Sequence, residues 1–402
     1  MKNYILVSFL FAMLPAILYG QVVTRPGVYV QETGPTPPAI AQVETAVPVF
    51  IGYTERLPRG ATRPTLSAQL IASYREYVRL FGESVPGFFL AQSVELFFDN
   101  GGGSCYILSV GIAPQAPQGK PLSQGLEKSM DTEAQLVLIP DAVQLPAADG
   151  YALQNKMLRL CAQRGDRFAI LNTPLPSNNA TQDFQTFRAQ TNAPDLSWGA
   201  VYYPWVITPG GESIPPAGAI AGVYAQTDAQ RGVWKAPANV QITGITGLSH
   251  QLSQAEISAA SVSPSDGKSI NPLKTFTGKG PLVWGSRTLA GNDNEWRYVP
   301  VRRMGTMIEQ SIQQSLKWVV FEPNDANLWT SVEATIGDYL QVLWREGAFA
   351  GSNPQEAFFV KCGLGSTMTA SDIQSGKLIV EIGFAPVRPA EFVVRRLEWR
   401  MP

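Results

Sequence analysis

The sequence predicts an α/β plus α+β protein: a three-layer α/β domain, then a smaller α+β unit, with a strand-like arm at each end. Short apolar runs alternate with helical patterns from residue 49 to about residue 230, the signature of a largely parallel sheet with helices on both faces. Beyond residue 300, two long helical stripes precede two strand patterns. Both termini also alternate as strands do, with no partner nearby in sequence. A terminal strand offers a row of unpaired N–H and C=O groups, so it either folds back onto its own domain or pairs with another sheet. With both ends alike, strand donation between subunits is a serious hypothesis.

Composition narrows the partners. The chain has 402 residues, 45% of them hydrophobic and 16% charged, with a formal net charge of −1. That length holds about two or three domains. The charge fraction lies below the usual quarter, which suits a surface partly covered by other proteins. A near-zero net charge gives no reason to expect nucleic acid as a ligand. The cysteines Cys105, Cys161 and Cys362 are odd in number and far apart. They exclude a disulfide scaffold and offer no CxxC spacing, and they read as small buried residues of a reducing compartment.

Residues 1–20 (MKNYILVSFLFAMLPAILYG) carry one lysine, an apolar run and a small residue before Gln21, the layout of a secretory signal peptide. The run is too short and too proline-broken to read as a membrane span. Residues 21–39 form the N-terminal arm and linker: 22–32 (VVTRPGVYVQE) alternates at Val28, Tyr29 and Val30, and Pro37 and Pro38 block regular structure afterwards.

The α/β domain is assigned to residues 40–285. Residues 49–53 read as a buried strand, 67–81 as an amphipathic helix closed by Gly82, and 89–98 as a second helix. The alternation continues with strands at 105–110, 135–139, 167–171 and 199–205, and helices at 151–163, 181–190 and 216–227. From 240 to 279 the pattern weakens into irregular loops or short strands.

The α+β unit is assigned to residues 286–388. Met304, Ile308, Ile312, Leu316 and Val319 form one helical stripe. Asp325 caps a second helix, with Leu328, Val332, Ile336, Tyr339, Leu340 and Leu343 as its stripe and Gly347 as its end. Residues 358–362 read as a strand, Thr369 and Asp372 as the capping box of a short helix, and 377–384 as a strand with Leu378, Val380, Ile382 and Phe384 on one face. The C-terminal arm, 389–402, places Val393, Leu397 and Trp399 on one face and Phe392, Val394 and Arg396 on the other.

Catalytic constellations are hard to find. His250 is the sole histidine, so a multi-histidine metal site is excluded and any Ser/His/Asp triad must use it. No GxSxG elbow occurs. Asn100 and the glycines 101–103 mimic a phosphate cradle, but the order is helix, glycines, strand, the reverse of a P-loop. Asp293 and Glu295 read as a solvated turn before an apolar strand. Arg302, Arg303, Arg395, Arg396 and Arg400 read as partners for carboxylates on another protein. No cofactor or metal is expected.

Phrases in a fixed order carry a resemblance: TRPGVYVQE at 24–32, LFFDNGGGSCYIL at 96–108, PPAGAIAGVYAQTDAQRGVWKAPAN at 215–239, GPLVWGSRTL at 280–289, EWRYVPVRR at 295–303 and FEPNDANLWTSV at 321–332. Residues 343–396, from LWREGAFAG to EFVVRR, complete the series. The chain resembles the sheath proteins of contractile tails, found in bacteriophages, pyocin-like particles and extracellular contractile injection systems. The resemblance implies a structural subunit, not an enzyme, that assembles in six-fold rings around an inner tube and contracts to drive that tube into a target envelope. It further implies baseplate and terminator proteins as partners, no nucleic acid, and an α/β domain subtilisin-like in topology only. By the same resemblance, Val28, Tyr29, Val30, Phe392, Val393, Val394 and Arg395 belong to arms that link neighbouring subunits by completing a sheet. The helix after Asp325 and the one after Thr369 are candidates to face the tube. Family members assemble in the cytoplasm, so residues 1–20 stand either as a misplaced start or as an extension that leaves export possible. A secreted α/β hydrolase and a non-contracting tail assembly protein are the alternative functions.

Overall fold

The computed structural model describes residues 39–58, 61, 64–387 and 393–401. The signal-like segment, the arm residues Val28, Tyr29 and Val30, and Phe392 lie outside the described residues.

Strand β1 (Pro48–Thr54) is buried along its whole length because it is an interior strand of a sheet covered on both faces. After it come β2 (Gln69–Ile71), α1 (Tyr74–Phe81), α2 (Leu90–Asp99), β3 (Cys105–Ile112), α3 (Gly119–Ser129), β4 (Leu136–Leu138), α4 (Ala147–Arg164), β5 (Phe168–Asn172), α5 (Ala180–Gln190) and β6 (Gly199–Tyr203). The short strands β7 (Val206–Ile207) and β8 (Ser213–Ile214) precede α6 (Ala217–Arg231). Strands β9 (Val240–Gln241) and β10 (Gly247–Leu248), helix α7 (Gln254–Ser261), and strands β11 (Asn271–Phe276) and β12 (Gly280–Val283) complete the α/β part.

Nine described strands run β2-β3-β1-β4-β5-β6-β11-β12-β9 across one sheet. From β3 to β11 they are parallel, and β2, β12 and β9 add antiparallel edges. Side chains alternate between the two faces. Phe50 joins Leu90, Val94 and Phe97 under α1, α2 and α6, while Val49 and Ile51 join Leu122, Leu126 and Leu158 under α3 to α5. Helices α2 and α6 touch backbone to backbone. A Cβ at Gly218 would lie 2.2 Å from the Ser93 carbonyl oxygen, and one at Gly222 2.5 Å from that of Phe97.

The C-terminal part contains α8 (Val299–Ser315), a 3-10 turn at Lys317–Phe321, α9 (Ala326–Arg345), α10 (Pro354–Ala357), β13 (Phe358–Cys362), α11 (Ala370–Gln374), β14 (Lys377–Phe384) and β15 (Val393–Arg400). Asp325 caps α9 by accepting from the Asn327 and Leu328 amides at 2.9 and 3.0 Å. The Thr369–Asp372 capping box is formed as expected. Strands β13, β14 and β15 make an antiparallel sheet whose core is shared with α8 and α9. Residues 286–298 belong to both parts, since the Leu289 amide donates to Gly199 of β6 and Arg287 bridges to Tyr298 at the start of α8.

The local differences from the sequence reading have local causes. Residues 67–81 are not one helix: Ser73 caps α1 through the Glu76 amide, and the turn before it is drawn onto the β3 edge as β2. Helix α3 was hidden by Gly119, Pro121 and Gly125, yet Gly125 fits because a Cβ there would meet Val110 at 2.5 Å. Residues 240–279 contain β11, a full member of the main sheet, whose Asn271, Pro272 and Lys274 broke the expected apolar pattern. The turn at Asp293 leads into α8 rather than a strand, because Pro300 sits in the first helical turn, where its missing N–H costs nothing.

Candidate functional site: the terminal strand and its arginine junction

Strand β15 pairs antiparallel with β14 over its whole length, from Phe384 opposite Val393 to Lys377 opposite Arg400. The alternation read from sequence holds: Val393, Leu397 and Trp399 are buried, and Val394 is 46% exposed. The C-terminal end thus has a partner within its own chain. Its outer edge carries no strand among the described residues, because β15 closes the β13-β14-β15 order.

Strand β15 is tied to α8 by charge as well as by burial. Arg395 pairs with Glu309 through Nε, and its Nη2 donates to Oε2 at 3.1 Å. The Arg395 guanidinium also lies 5.5 Å from the centre of the Trp296 ring. Arg302, two helical turns before Glu309, stacks on that same ring at 4.3 Å and on Trp198 at 3.4 Å. Arg302 is 3% exposed, and its Nε and Nη2 have no hydrogen-bond partner among the described residues. Burial pushes its pKa down to about 10; Glu309 opposes that shift and Arg395 adds to it.

Arg303 points to the other side of α8 and is fully engaged. Its Nη1 donates to Asp228 of α6 at 3.0 Å, and its Nη2 donates to the second carboxylate oxygen and to the Thr45 carbonyl at 3.0 Å. Thr45 returns a hydroxyl hydrogen bond to Asp228 at 2.6 Å. Residues 41–45 therefore lie along α8, where Ser311 and Ser315 also accept from the Val43 and Ala41 amides. The guanidinium stacks on Tyr224 at 4.6 Å, and the Tyr224 and Tyr202 hydroxyls bond at 2.7 Å.

These contacts correct one sequence expectation. Arg303 and Arg395 pair with carboxylates of their own chain, Arg302 is buried between tryptophans, Arg396 donates to the Thr367 carbonyl, and Arg400 lies 3.7 Å from Glu398. Sequence reasoning missed Trp198, Trp296, Asp228 and Thr45, which lie up to 258 residues from their partners. The available signal was an Arg-Arg pair interrupting an apolar helical stripe.

Around His250 the described residues do not form a Ser/His/Asp arrangement. His250 Nε2 contacts Glu256 Oε1 at 3.2 Å, and the Ser253 hydroxyl donates to the other Glu256 oxygen at 2.7 Å. The serine therefore faces the carboxylate instead of the imidazole, and it is the N-cap of α7. Asn100 ends α2, and its amide group bonds Leu96 and Thr243, so the glycine run is a helix end that feeds β3. Among the described residues no group of His, Cys, Asp and Glu could hold a metal, and no helix is long and apolar enough to cross a membrane.

Comparison with known proteins gives two domain matches in tandem: the phage tail sheath protein central domain over residues 118–289 and the phage tail sheath C-terminal domain over residues 291–400. A prophage major tail sheath protein of Pseudomonas aeruginosa is 28% identical over 180 residues, 44% of each chain. The tail sheath protein of Enterobacteria phage T4 is 29% identical over 131 residues, 32% of this chain and 19% of that one. The chain thus spans less than half the length of the curated relatives it matches. Solved structures align more fully. The helical sheath of the anti-feeding prophage in its contracted state matches with a TM-score of 0.73 and 34% identity, over 94% of this chain and 99% of that one. The contracted sheath of an extracellular contractile injection system, PVC, gives 0.73 and 32% over 94% and 98%.

Proposed function

The chain belongs to the contractile tail sheath family, and from that premise we propose that it is a structural subunit that polymerises in six-fold rings around an inner tube and contracts to drive the tube through a target envelope. The observation that carries this reading is the near full-length likeness, above 30% identity, to sheath chains in the contracted state. No nucleotide-binding motif occurs, so the energy of contraction resides in a metastable extended lattice that relaxes to a better-packed one. A gain of only about a few kcal/mol per subunit suffices when many subunits switch together.

The arms are the hinges. The register of residues 393–400 on β14 is one that the same segment of a neighbouring copy occupies with identical contacts, the logic of strand swapping. The edge of β15 that carries no strand among the described residues suits the N-terminal arm of a neighbouring copy, residues 21–39, as a further strand. The 40–285 part is a subtilisin-like scaffold without catalytic function, and the 286–388 part is the sheath domain proper. Helices α9 and α11 are the candidates for tube contact; α9 exposes Thr330, Ala334, Asp338 and Val342, and α11 buries none of its residues. Baseplate and terminator proteins bind the ends of the polymer, nucleic acid has no part, and assembly takes place in the cytoplasm of the producing cell.

Electron microscopy of the purified chain, alone and co-expressed with its tube protein, tests the reading. Tubes or stacked rings with six-fold symmetry are expected. A monomer with esterase or peptidase activity that disappears in His250→Ala would overturn it.

A further inference from the structure

Glu309 lies on α8 with an arginine on each side, and among the described residues only one of them has a carboxylate partner. Arg302 precedes it by seven residues, two helical turns on the same face, a rise of about 10 Å that two long side chains can span. Arg395 reaches it from β15. The Trp296 ring is a wall common to both guanidiniums, at 4.3 and 5.5 Å. With β15 in place, two cations therefore crowd one indole while one carboxylate serves one of them. Among the described residues, Arg302 is left buried with two nitrogens that lack a hydrogen-bond partner, and an unsatisfied buried polar group calls for an explanation.

We propose that Glu309 is an exchanging carboxylate: it pairs with Arg395 while β15 lies on β14 and turns to Arg302 when β15 leaves. Releasing the strand then loses one ion pair and forms another, and Trp198 and Trp296 hold the waiting guanidinium in position. A β15 strand arriving from a neighbouring copy carries its own Arg395 and recaptures Glu309. Glu295 and Asp195 also face this cluster electrostatically, but neither makes a hydrogen bond to Arg302 among the described residues. The inference rests on the strand-swapping reading above and adds a control element to it.

Hydrogen exchange of the full-length chain, read by mass spectrometry on peptides from β15, α8 and β1, tests the exchange. Arg302→Met removes the alternative partner, so β15 amides should exchange about tenfold more slowly while β1 stays unchanged. Arg302→Lys should return the rate toward wild type. In a Glu309→Gln background the Arg302→Met slowing should vanish. Faster exchange in β15 and β1 together, an unchanged β15 rate, or slowing that persists in Glu309→Gln would each overturn the proposal. If Arg302→Met does not fold, Arg302→Gln is read by the same criteria. Slowed β15 release in a chain that forms no tubes would sink the assembly reading and leave the carboxylate exchange standing. Normal tubes with unaltered β15 exchange would do the reverse.

Discussion

Arg302 and Arg303 are neighbours on one helix and are nearly equally buried, at 3% and 5% exposed, yet their environments are opposite. Arg303 meets a carboxylate, a carbonyl and an aromatic face, and its partners lie on α6 and on the 41–45 segment. Arg302 meets two aromatic faces, and two of its nitrogens have no acceptor among the described residues. Burying a charge is costly unless it is paired or hydrogen-bonded, and Arg303, which is both, acts as a staple between the two parts of the chain. Arg302, held by two indoles and by no acceptor for two of its nitrogens among the described residues, is where the proposed exchange with Glu309 acts. In a protein read as switching between two packings, the unsatisfied member of the pair is the informative one.

The largest expected effect comes from breaking the staple. Arg303→Ala leaves Asp228, whose side chain is 8% exposed, without its counter-ion and removes a link to Thr45. The loss should be about 3–5 kcal/mol, read from the midpoint of denaturant unfolding. A loss below about 1 kcal/mol would mean that Asp228 finds water or another partner, and Arg303 would cease to be the contrast to Arg302.

Asp141 extends the comparison to a buried charge of the other sign. It is fully buried and accepts from the Phe89 and Tyr53 amides at 2.6 and 3.3 Å, with burial raising its pKa from 3.8 to about 6. A raised carboxyl pKa means that the folded state holds the proton more tightly than the unfolded state. This group therefore favours folding most below pH 4, loses stability as pH rises from about 4 to 6, and is level above that. The span is about 3 kcal/mol. The stability difference between wild type and Asp141→Asn should fall over that window, and a flat difference would show that the two amides offset burial so that the folded carboxyl titrates where the unfolded one does.

A smaller effect is expected next to the staple. Tyr224→Phe retains the ring under Arg303 but strips the Tyr202 hydroxyl of its 2.7 Å partner. Stability should drop by about 1–2 kcal/mol, and the double change to phenylalanine should recover part of it, since no orphan hydroxyl remains. No recovery would mean that the hydroxyl pair matters in itself.

How much of this was legible beforehand follows from the range of each interaction. The strand and helix alternation from β1 to β6 apart from β2 and α3, the Asp325 cap and the Thr369 box were readable because their causes lie within a few residues. The two-faced pattern of β15 was readable for the same reason, and Val393, Leu397 and Trp399 are buried as it implies. Helix α3 and strand β11 were not, because packing against the sheet overrides their glycines, proline and polar residues. The arginines were seen as a cluster, but their partners were not. Asp228 is 75 residues from Arg303 and Glu309 is 86 from Arg395, and no local pattern announces a pairing across that distance.

The smallest expected change in global stability decides most about the comparison. Arg302→Met removes a buried guanidinium that lacks hydrogen bonds and substitutes a flexible thioether between Trp198 and Trp296, where sulfur–aromatic contacts are favourable. The lost cation–π attraction, about 0.5–2 kcal/mol per ring, opposes the gain from no longer desolvating an unpaired charge. These terms nearly cancel, so the unfolding midpoint should stay within about 1 kcal/mol of wild type. A loss as large as that of Arg303→Ala would mean that the two indoles satisfy the charge as fully as Asp228 satisfies Arg303. Both arginines would then be staples, and Glu309 would have no waiting partner on α8.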